Sequence, residues 1–177
     1  MMNLFLLGGN HKSNKEWIED VEKALRHMFE STKIQYYDHW SEKAASIDFN
    51  LEFEKLKSSA EGVKDLVIFA KSVGTLLALK GLYKGEIAAS KCIFVGTPIN
   101  LAKAYGFDID IWLQNYLTPT LFIQKKEDPA MSFFDLYRVL LERNVSSYNA
   151  IKIPGEDHEY DDIRKLKSLI RKFLSDD

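Results

Sequence analysis

Three residues that lie far apart along the chain could together perform nucleophilic chemistry. Ser72, Asp128 and His158 supply a hydroxyl, a carboxylate and an imidazole. A serine hydroxyl is a weak nucleophile unless a neighbouring base takes its proton, and histidine can do so near neutral pH. A carboxylate behind the imidazole would fix its tautomer and its orientation. If the fold brings the three side chains together, we expect Ser72 to attack a carbonyl carbon.

Each of these residues also has an ordinary structural interpretation. A serine at a strand-to-helix turn is a common helix N-cap. His158 stands in an acidic stretch, where a surface histidine would be unremarkable, and Glu127 and Asp157 compete with Asp128 for the role of the acid. The functional interpretation therefore depends on the elements that would position these side chains.

The segment 66–79 predicts a strand, a sharp turn and a helix, with Ser72 on the turn. Ala70 and Gly74 lie two residues to either side of the serine, and such small residues let strand and helix backbones pass close together. In this geometry the backbone N–H of Val73 would point to where a tetrahedral oxyanion forms. The dipole of the helix would favour negative charge at the same place.

Short apolar runs alternate with longer amphipathic stretches along the whole chain, a pattern typical of the α/β class with a parallel sheet. Strands are predicted at 3–7, 34–38, 65–70, 91–95, 118–124 and 147–153. Helices are predicted at 15–30, 50–61, 73–83, through a broken segment at 101–115, and at 130–142 and 160–174. Asp128 and His158 each follow a predicted strand, so both would join Ser72 at the carboxyl edge of the sheet.

Composition narrows the classes of protein that this sequence fits. Its 177 residues, without repeats or a linker-like stretch, predict a single domain spanning residues 1–177. A formal net charge of -2 gives no basic footprint, so no nucleic-acid partner is expected. The single cysteine, Cys92, lies in an apolar run, which predicts a buried thiol and a reduced compartment. The amino terminus shows neither a signal peptide nor a membrane span, so we expect a cytoplasmic protein without membrane contact.

A glycine-rich loop completes a set of motifs. Gly8-Gly9-Asn10 follows the first predicted strand, and the turn at 70–74 reads Ala-Lys-Ser-Val-Gly. Together with Asp128 and His158, these motifs resemble the α/β-hydrolase superfamily. They are most similar to its compact branch without a lid, which includes dienelactone-hydrolase-like and retinoblastoma-binding-protein-like small serine hydrolases. The resemblance extends over almost the whole chain.

This resemblance implies both a fold and a site. The implied fold is a three-layer α/β/α sandwich around a six-stranded, mostly parallel sheet with strand order 2-1-3-4-5-6 and no cap domain. The implied catalytic triad has Ser72 as nucleophile, His158 as general base and Asp128 as the acid that orients the base. The implied oxyanion hole combines the backbone N–H of Val73 with that of Gly9 or Asn10.

Several side chains near the predicted sheet edge could line a substrate pocket: His11, His39, Ile99, Phe107 and Trp112. The aromatic stretch that includes Tyr105, Phe107 and Trp112 could instead be a helix packed on the sheet. No cofactor is expected, because the G-x-G-x-x-G and Walker motifs are absent from the sequence. No metal is expected, because the histidines and the cysteine lack ligand spacing.

The leading interpretation is a serine hydrolase that cleaves a small ester or related acyl bond through an acyl-enzyme on Ser72. Its partner would then be a small-molecule acyl substrate, and thioesterase and peptidase activities belong to the same class. The alternative is a catalytically silent interaction module that keeps the same fold, because a fold does not determine a function.

Overall fold

The computed structural model describes residues 2–41, 46–104 and 106–175 of the chain. Among these residues the strands are β1 (Asn3–Leu7), β2 (Ser31–Gln35), β3 (Leu66–Lys71), β4 (Lys91–Val95), β5 (Thr120–Lys125) and β6 (Tyr148–Ile153). They form a six-stranded sheet in the order β2-β1-β3-β4-β5-β6, and every neighbouring pair is parallel. The predicted class, parallel sheet and strand order are confirmed.

Helices cover both faces of this sheet. They are α1 (Asn14–Leu25), α2 (Phe49–Ala60), α3 (Val73–Lys84), α4 (Ile99–Ala104), α5 (Ile109–Leu113), α6 (Phe133–Glu142) and α7 (Ile163–Ser175). Short 3-10 helices follow α1 and β2, at Arg26–Met28 and Asp38–Trp40. α1 packs against α7 in one layer, while α2 and α5 both pack against α3 in the other. The predicted three-layer α/β/α sandwich is therefore confirmed.

The central strands are apolar because both of their faces are covered. All six residues of β3 are buried, as are the last four of β4 and the first five of β5. Cys92 belongs to this core, as the sequence predicts, and burial raises the pKa of its thiol to about 12.

The second strand was predicted at 34–38, and this prediction was wrong by three residues. The strand runs over Ser31–Gln35 and pairs with β1 alone, at the edge of the sheet. An edge strand can carry polar residues such as Thr32 and Lys33 because one side of it meets water. The apolar residues that suggested a later strand, including Tyr37, lie at and beyond its carboxyl end.

The first helix also ends earlier than the predicted 15–30. α1 stops at Leu25, a 3-10 turn follows, and Phe29 is already extended. The N–H of Glu30 donates to the carbonyl of Met2, so the chain joins the sheet from this residue onward. A helix through Glu30 would have removed that pairing.

Three further boundaries differ from the predictions. The broken segment at 101–115 is two short helices, α4 and α5, and Tyr105 lies outside the described residues. α6 begins at Phe133 rather than 130, because the Ser132 hydroxyl caps it by accepting from the Asp135 N–H. α7 begins at Ile163 rather than 160, because Tyr160 is buried in the preceding loop.

The described helices include none with the length and apolar character that crossing a bilayer requires.

Candidate active site

Ser72 occupies a tight turn between β3 and α3. Its φ of 52° lies in the left-handed region, which is rare for residues other than glycine and occurs where the surrounding structure enforces it. The Ser72 N–H donates to the Val95 carbonyl at 3.0 Å, which ties the turn to β4. A Cβ at Gly74 would lie 2.8 Å from the Gly8 carbonyl oxygen, so the helix can approach the end of β1 only with glycine there.

The structure places Ser72, His158 and Asp128 in one hydrogen-bonded chain, which we call the triad. Ser72 Oγ lies 2.8 Å from His158 Nε2. On the other side of the ring, His158 Nδ1 lies 2.9 Å from Asp128 Oδ1 and 2.8 Å from Oδ2. A carboxylate can only accept a hydrogen bond, so Nδ1 carries the hydrogen that bonds to Asp128, and the lone pair of Nε2 is left to accept from the Ser72 hydroxyl. Of the competing acids, Asp157 accepts from Lys125 instead.

The Asp128 carboxylate is buried and surrounded by hydrogen-bond donors. Burial alone opposes its ionisation, but donors from His158, Tyr160 and the Ala130 N–H outweigh that effect. The pKa of Asp128 is therefore lower than its ordinary value. The carboxylate stays charged at neutral pH, as the orienting member of a triad must.

Tyr160 is a part of this site that the sequence analysis did not single out. Its hydroxyl donates to Asp128 Oδ2 at 2.7 Å and accepts from the Lys125 N–H at 3.0 Å. Burial and the neighbouring charge of Asp128 raise the pKa of the Tyr160 hydroxyl far above its ordinary value, so it remains a donor. The sequence signal that could have identified Tyr160 is an aromatic residue two positions after His158, in a loop that is otherwise acidic.

Gly96 was also missed. It follows β4 with a φ of 61°, and a Cβ there would lie 3.0 Å from His158 Cε1 and 2.8 Å from Tyr160 Cε2. Only glycine leaves room for the imidazole and the phenol to pack over this turn. A glycine directly after a predicted strand was the signal that could have found it.

Lys71, next to the serine, is a third residue that the sequence analysis passed over. It is buried, and its Nζ lies 3.0 Å from Asn14 Oδ1, 3.3 Å from Glu159 Oε2 and 5.0 Å from the centre of the Trp17 ring. Lys71 thus connects the turn at Ser72 to the start of α1 and to the loop that carries His158.

The loop after β1 and the start of α3 each place one residue in the wall of the cavity beside the serine. Val73 and Asn10 both line the cavity that contains Ser72. Val73 is the first residue of α3, so its N–H has no partner within the helix. Neither this N–H nor that of Asn10 donates to another described residue. Gly9, the other predicted donor, is not among the described residues that line the cavity, and a Cβ on it would meet the Asn14 side chain.

A small apolar cavity adjoins the serine. Its volume is about 150 Å³, and its lining residues are Asn10, Ser46, Ile47, Phe49, Ser72, Val73, Leu76, Pro98, Leu101 and Phe107. Phe107, which was predicted to line a pocket, packs against Phe49 with ring centroids 4.4 Å apart. The cavity can hold a compact apolar group directly beside the hydroxyl.

Four other predicted pocket residues lie elsewhere. Ile99 is fully buried in the hydrophobic core, and Trp112 packs against Phe107 with ring centroids 5.8 Å apart. His11 is exposed and bonds to the Ser13 hydroxyl at 2.8 Å. His39 is buried and donates from Nε2 to the Asn10 carbonyl. None of these four is among the described residues that line this cavity.

In the described part of the chain, no group of three or more histidine, cysteine, aspartate or glutamate side chains is arranged to hold a metal ion.

Comparisons with known proteins identify the fold. No protein-family model matches this sequence, and no curated protein matches it significantly. Solved structures do match. The esterase Pf2001 from Pyrococcus furiosus gives a TM-score of 0.76 at 15% identity, over 98% of this chain and 82% of that one. Mouse alpha/beta hydrolase domain-containing protein 10 gives 0.72 at 13% identity, over 97% and 89%.

An uncharacterized protein from Bacillus cereus ATCC 10987 also matches, with a TM-score of 0.72 at 16% identity, over 98% of this chain. This chain spans only 60% of the length of that protein. These structures superpose closely on this chain although few residues are identical, so the comparison shows the fold alone. The chain has the α/β-hydrolase fold, which proteins named esterases and hydrolases share.

Proposed function

We propose that this protein is a serine hydrolase that cleaves a small ester or related acyl bond. The observation that carries the proposal is the hydrogen-bonded triad, in which Ser72 Oγ lies 2.8 Å from an imidazole that Asp128 holds from behind. A serine in a left-handed turn at the carboxyl edge of a parallel sheet adds support, because that geometry exposes and aligns a nucleophile.

The proposed reaction begins when Ser72 Oγ attacks the carbonyl carbon and His158 Nε2 takes the hydroxyl proton. The resulting oxyanion accepts hydrogen bonds from the N–H groups of Val73 and Asn10. His158 returns the proton to the leaving group, which departs and leaves an acyl group on Ser72. Water then attacks the acyl-enzyme with His158 as base, and His158 passes the proton to Ser72 Oγ as the carboxylic acid is released. Asp128 stabilises the imidazolium in both steps.

The cavity beside Ser72 supports a small apolar acyl group as the substrate class. Phe49, Leu76 and Phe107 give it apolar walls, and about 150 Å³ holds only a short acyl chain. The matched Pyrococcus furiosus structure is named an esterase, which is consistent with an ester substrate. Thioesters and activated amides react through the same steps.

The test is hydrolysis of p-nitrophenyl acetate together with labelling by a fluorophosphonate, monitored by intact mass. We expect wild-type protein to turn over the ester and to gain one label, and Ser72→Ala to lose both. Ser58→Ala is the matched control, because Ser58 is exposed on α2 away from the site. Folded wild-type protein that neither reacts nor labels would contradict the proposal and favour a silent interaction module.

A further inference from the structure

The loop that follows β1 is held by side chains from a single neighbouring segment. Tyr37 Oη donates to the Gly8 carbonyl at 3.0 Å, and His39 Nε2 donates to the Asn10 carbonyl. Both side chains are buried, and both lie directly after β2. The two carbonyls that receive these bonds flank Gly9.

His39 makes no other hydrogen bond to a described residue. Its Nδ1 is buried without a partner among them, while its ring stacks on Tyr37 at 5.9 Å and lies 6.2 Å from the Trp40 ring. Burying an unpaired ring nitrogen costs free energy, so packing alone would favour an apolar side chain here. The bond to Asn10 is the one polar contact that distinguishes histidine from such a side chain.

These bonds restrict the orientation of the Asn10 N–H. In a trans peptide the carbonyl and the next N–H point in opposite directions. Tyr37 therefore holds the peptide between Gly8 and Gly9, and His39 holds the peptide between Asn10 and the next residue. The peptide that carries the Asn10 N–H lies between the two, so this N–H can reorient only if ψ of Gly9 and φ of Asn10 change together. Two consecutive glycines would otherwise leave this loop with many accessible conformations.

Further contacts hold the same arrangement in place. Asn10 Oδ1 accepts from the Ile47 N–H at 2.9 Å, and this bond fixes the side chain of Asn10. The buried carboxylate of Glu52 accepts from Gln35 Nε2 at 2.8 Å and from the Asp38 N–H at 2.9 Å. These bonds fasten the segment that carries Tyr37 and His39 to α2.

We infer that His39 and Tyr37 are positioning residues, which aim the Asn10 N–H at the oxyanion formed on attack by Ser72. This inference rests on the proposed hydrolase function. Donors of this kind stabilise a transition state only when they are oriented before the charge develops, so the effect appears in kcat and not in substrate binding.

The experiment compares His39→Gln with His39→Met. The two side chains have similar length, but only glutamine carries an amide N–H where Nε2 of histidine lies. For His39→Met we expect kcat for p-nitrophenyl acetate to fall about 10- to 100-fold with little change in KM, and His39→Gln to recover most of the loss. The inhibition constant of butylboronic acid, which forms a tetrahedral adduct on serine, should rise in His39→Met by the same factor as kcat falls.

The inference would be overturned if His39→Met had the kcat of wild type. It would also be overturned if His39→Gln did not restore the lost kcat, or if the inhibition constant of butylboronic acid in His39→Met equalled that of wild type. Tyr37→Phe provides a second test that deletes only a hydroxyl, and it should lower kcat and weaken the boronate in parallel. If Ser72 in wild-type protein neither reacts nor labels, the proposed function fails and this inference fails with it. If wild type reacts and His39→Met equals it, only the positioning role fails.

Discussion

Asp128 shows how a single buried carboxylate can be kept ionised and aligned. Its donors come from three sources: the imidazole of His158, the hydroxyl of Tyr160 and the backbone N–H of Ala130. The first two belong to the loop between β6 and α7, and the third belongs to the loop after β5. The bond from Tyr160 therefore ties the loop after β5 to the loop between β6 and α7, in addition to stabilising the charge of Asp128.

We expect Tyr160→Phe to weaken both stability and activity. The change removes a donor from Asp128 and leaves the Lys125 N–H without its acceptor, so the free energy of unfolding should fall by about 1–3 kcal/mol. The kcat should fall by up to about 10-fold, because the triad persists but its carboxylate is less well fixed. Urea unfolding and steady-state kinetics measure the two effects.

Tyr83→Phe is the control for this change, because Tyr83 is 51% exposed and lies on α3 away from Asp128. Its stability and kcat should equal those of wild type. A Tyr160→Phe protein with the same two values would show that the hydroxyl does not support the acid.

At the level of elements, each loop at the carboxyl edge of the sheet makes a distinct contribution. The loop after β1 carries Asn10, the turn after β3 carries Ser72, and the loops after β5 and β6 carry Asp128 and His158. The turn after β4 leaves room for the His158 imidazole, because Gly96 has no Cβ to collide with it.

Gly96→Ala should therefore damage activity more than stability alone explains. An alanine forced into the left-handed region costs about 1–2 kcal/mol of stability at either Gly96 or Gly62, where φ is 61° and 72°. At Gly62 the added methyl meets nothing within 4 Å, whereas at Gly96 it meets His158 and Tyr160. We expect Gly96→Ala to unfold more easily than Gly62→Ala, because its methyl also clashes with Tyr160 and His158, and we expect kcat to be about 10- to 100-fold lower for Gly96→Ala only. Equal kcat values would contradict this role of Gly96.

The sequence predicted correctly those features that depend on residues close together in the chain. The turn at Ser72 was predictable because Ala70 and Gly74 are needed for a close approach of neighbouring backbones, and the observed clash of a Cβ at Gly74 with Gly8 has that same cause. The strand order followed from the family resemblance. The position of β2 was missed because an edge strand need not be apolar, so its composition resembles that of a loop.

The missed parts of the site depend on contacts between distant segments. Tyr160 bonds to an acid 32 positions earlier in the chain, and no local pattern encodes that pairing. His39 was predicted near the substrate because it lies close to the sheet edge, yet its ring points inward to the Asn10 carbonyl. The direction of a side chain in an irregular segment follows from packing, which spacing alone does not reveal.

At the scale of the whole molecule, the strand order explains where the site lies. From β1 the chain moves outward to β2, then returns to β3 on the other side of β1 and continues outward through β4, β5 and β6. The loops after β1 and β3 therefore diverge at this switch point, which opens a crevice between them. Asn10 and Ser72, on these two loops, share the wall of one cavity.

The stability of the whole molecule should depend on pH through Asp128. Its pKa is lowered in the folded protein, whereas an unfolded aspartate titrates near about 3.9. A depressed folded pKa stabilises the fold at pH values above the unfolded pKa, and this contribution is lost as the pH falls through the folded pKa. We therefore expect Asp128→Asn to unfold more easily than wild type at pH 7, and the difference to shrink below about pH 4.

Urea unfolding of both proteins between pH 7 and about pH 2.5 measures this difference in the free energy of unfolding. The lowered pKa values of Asp110 and Asp157 affect both proteins equally, because both retain these residues. A difference that stays constant down to the lowest pH would mean that the charge of Asp128 does not stabilise the fold.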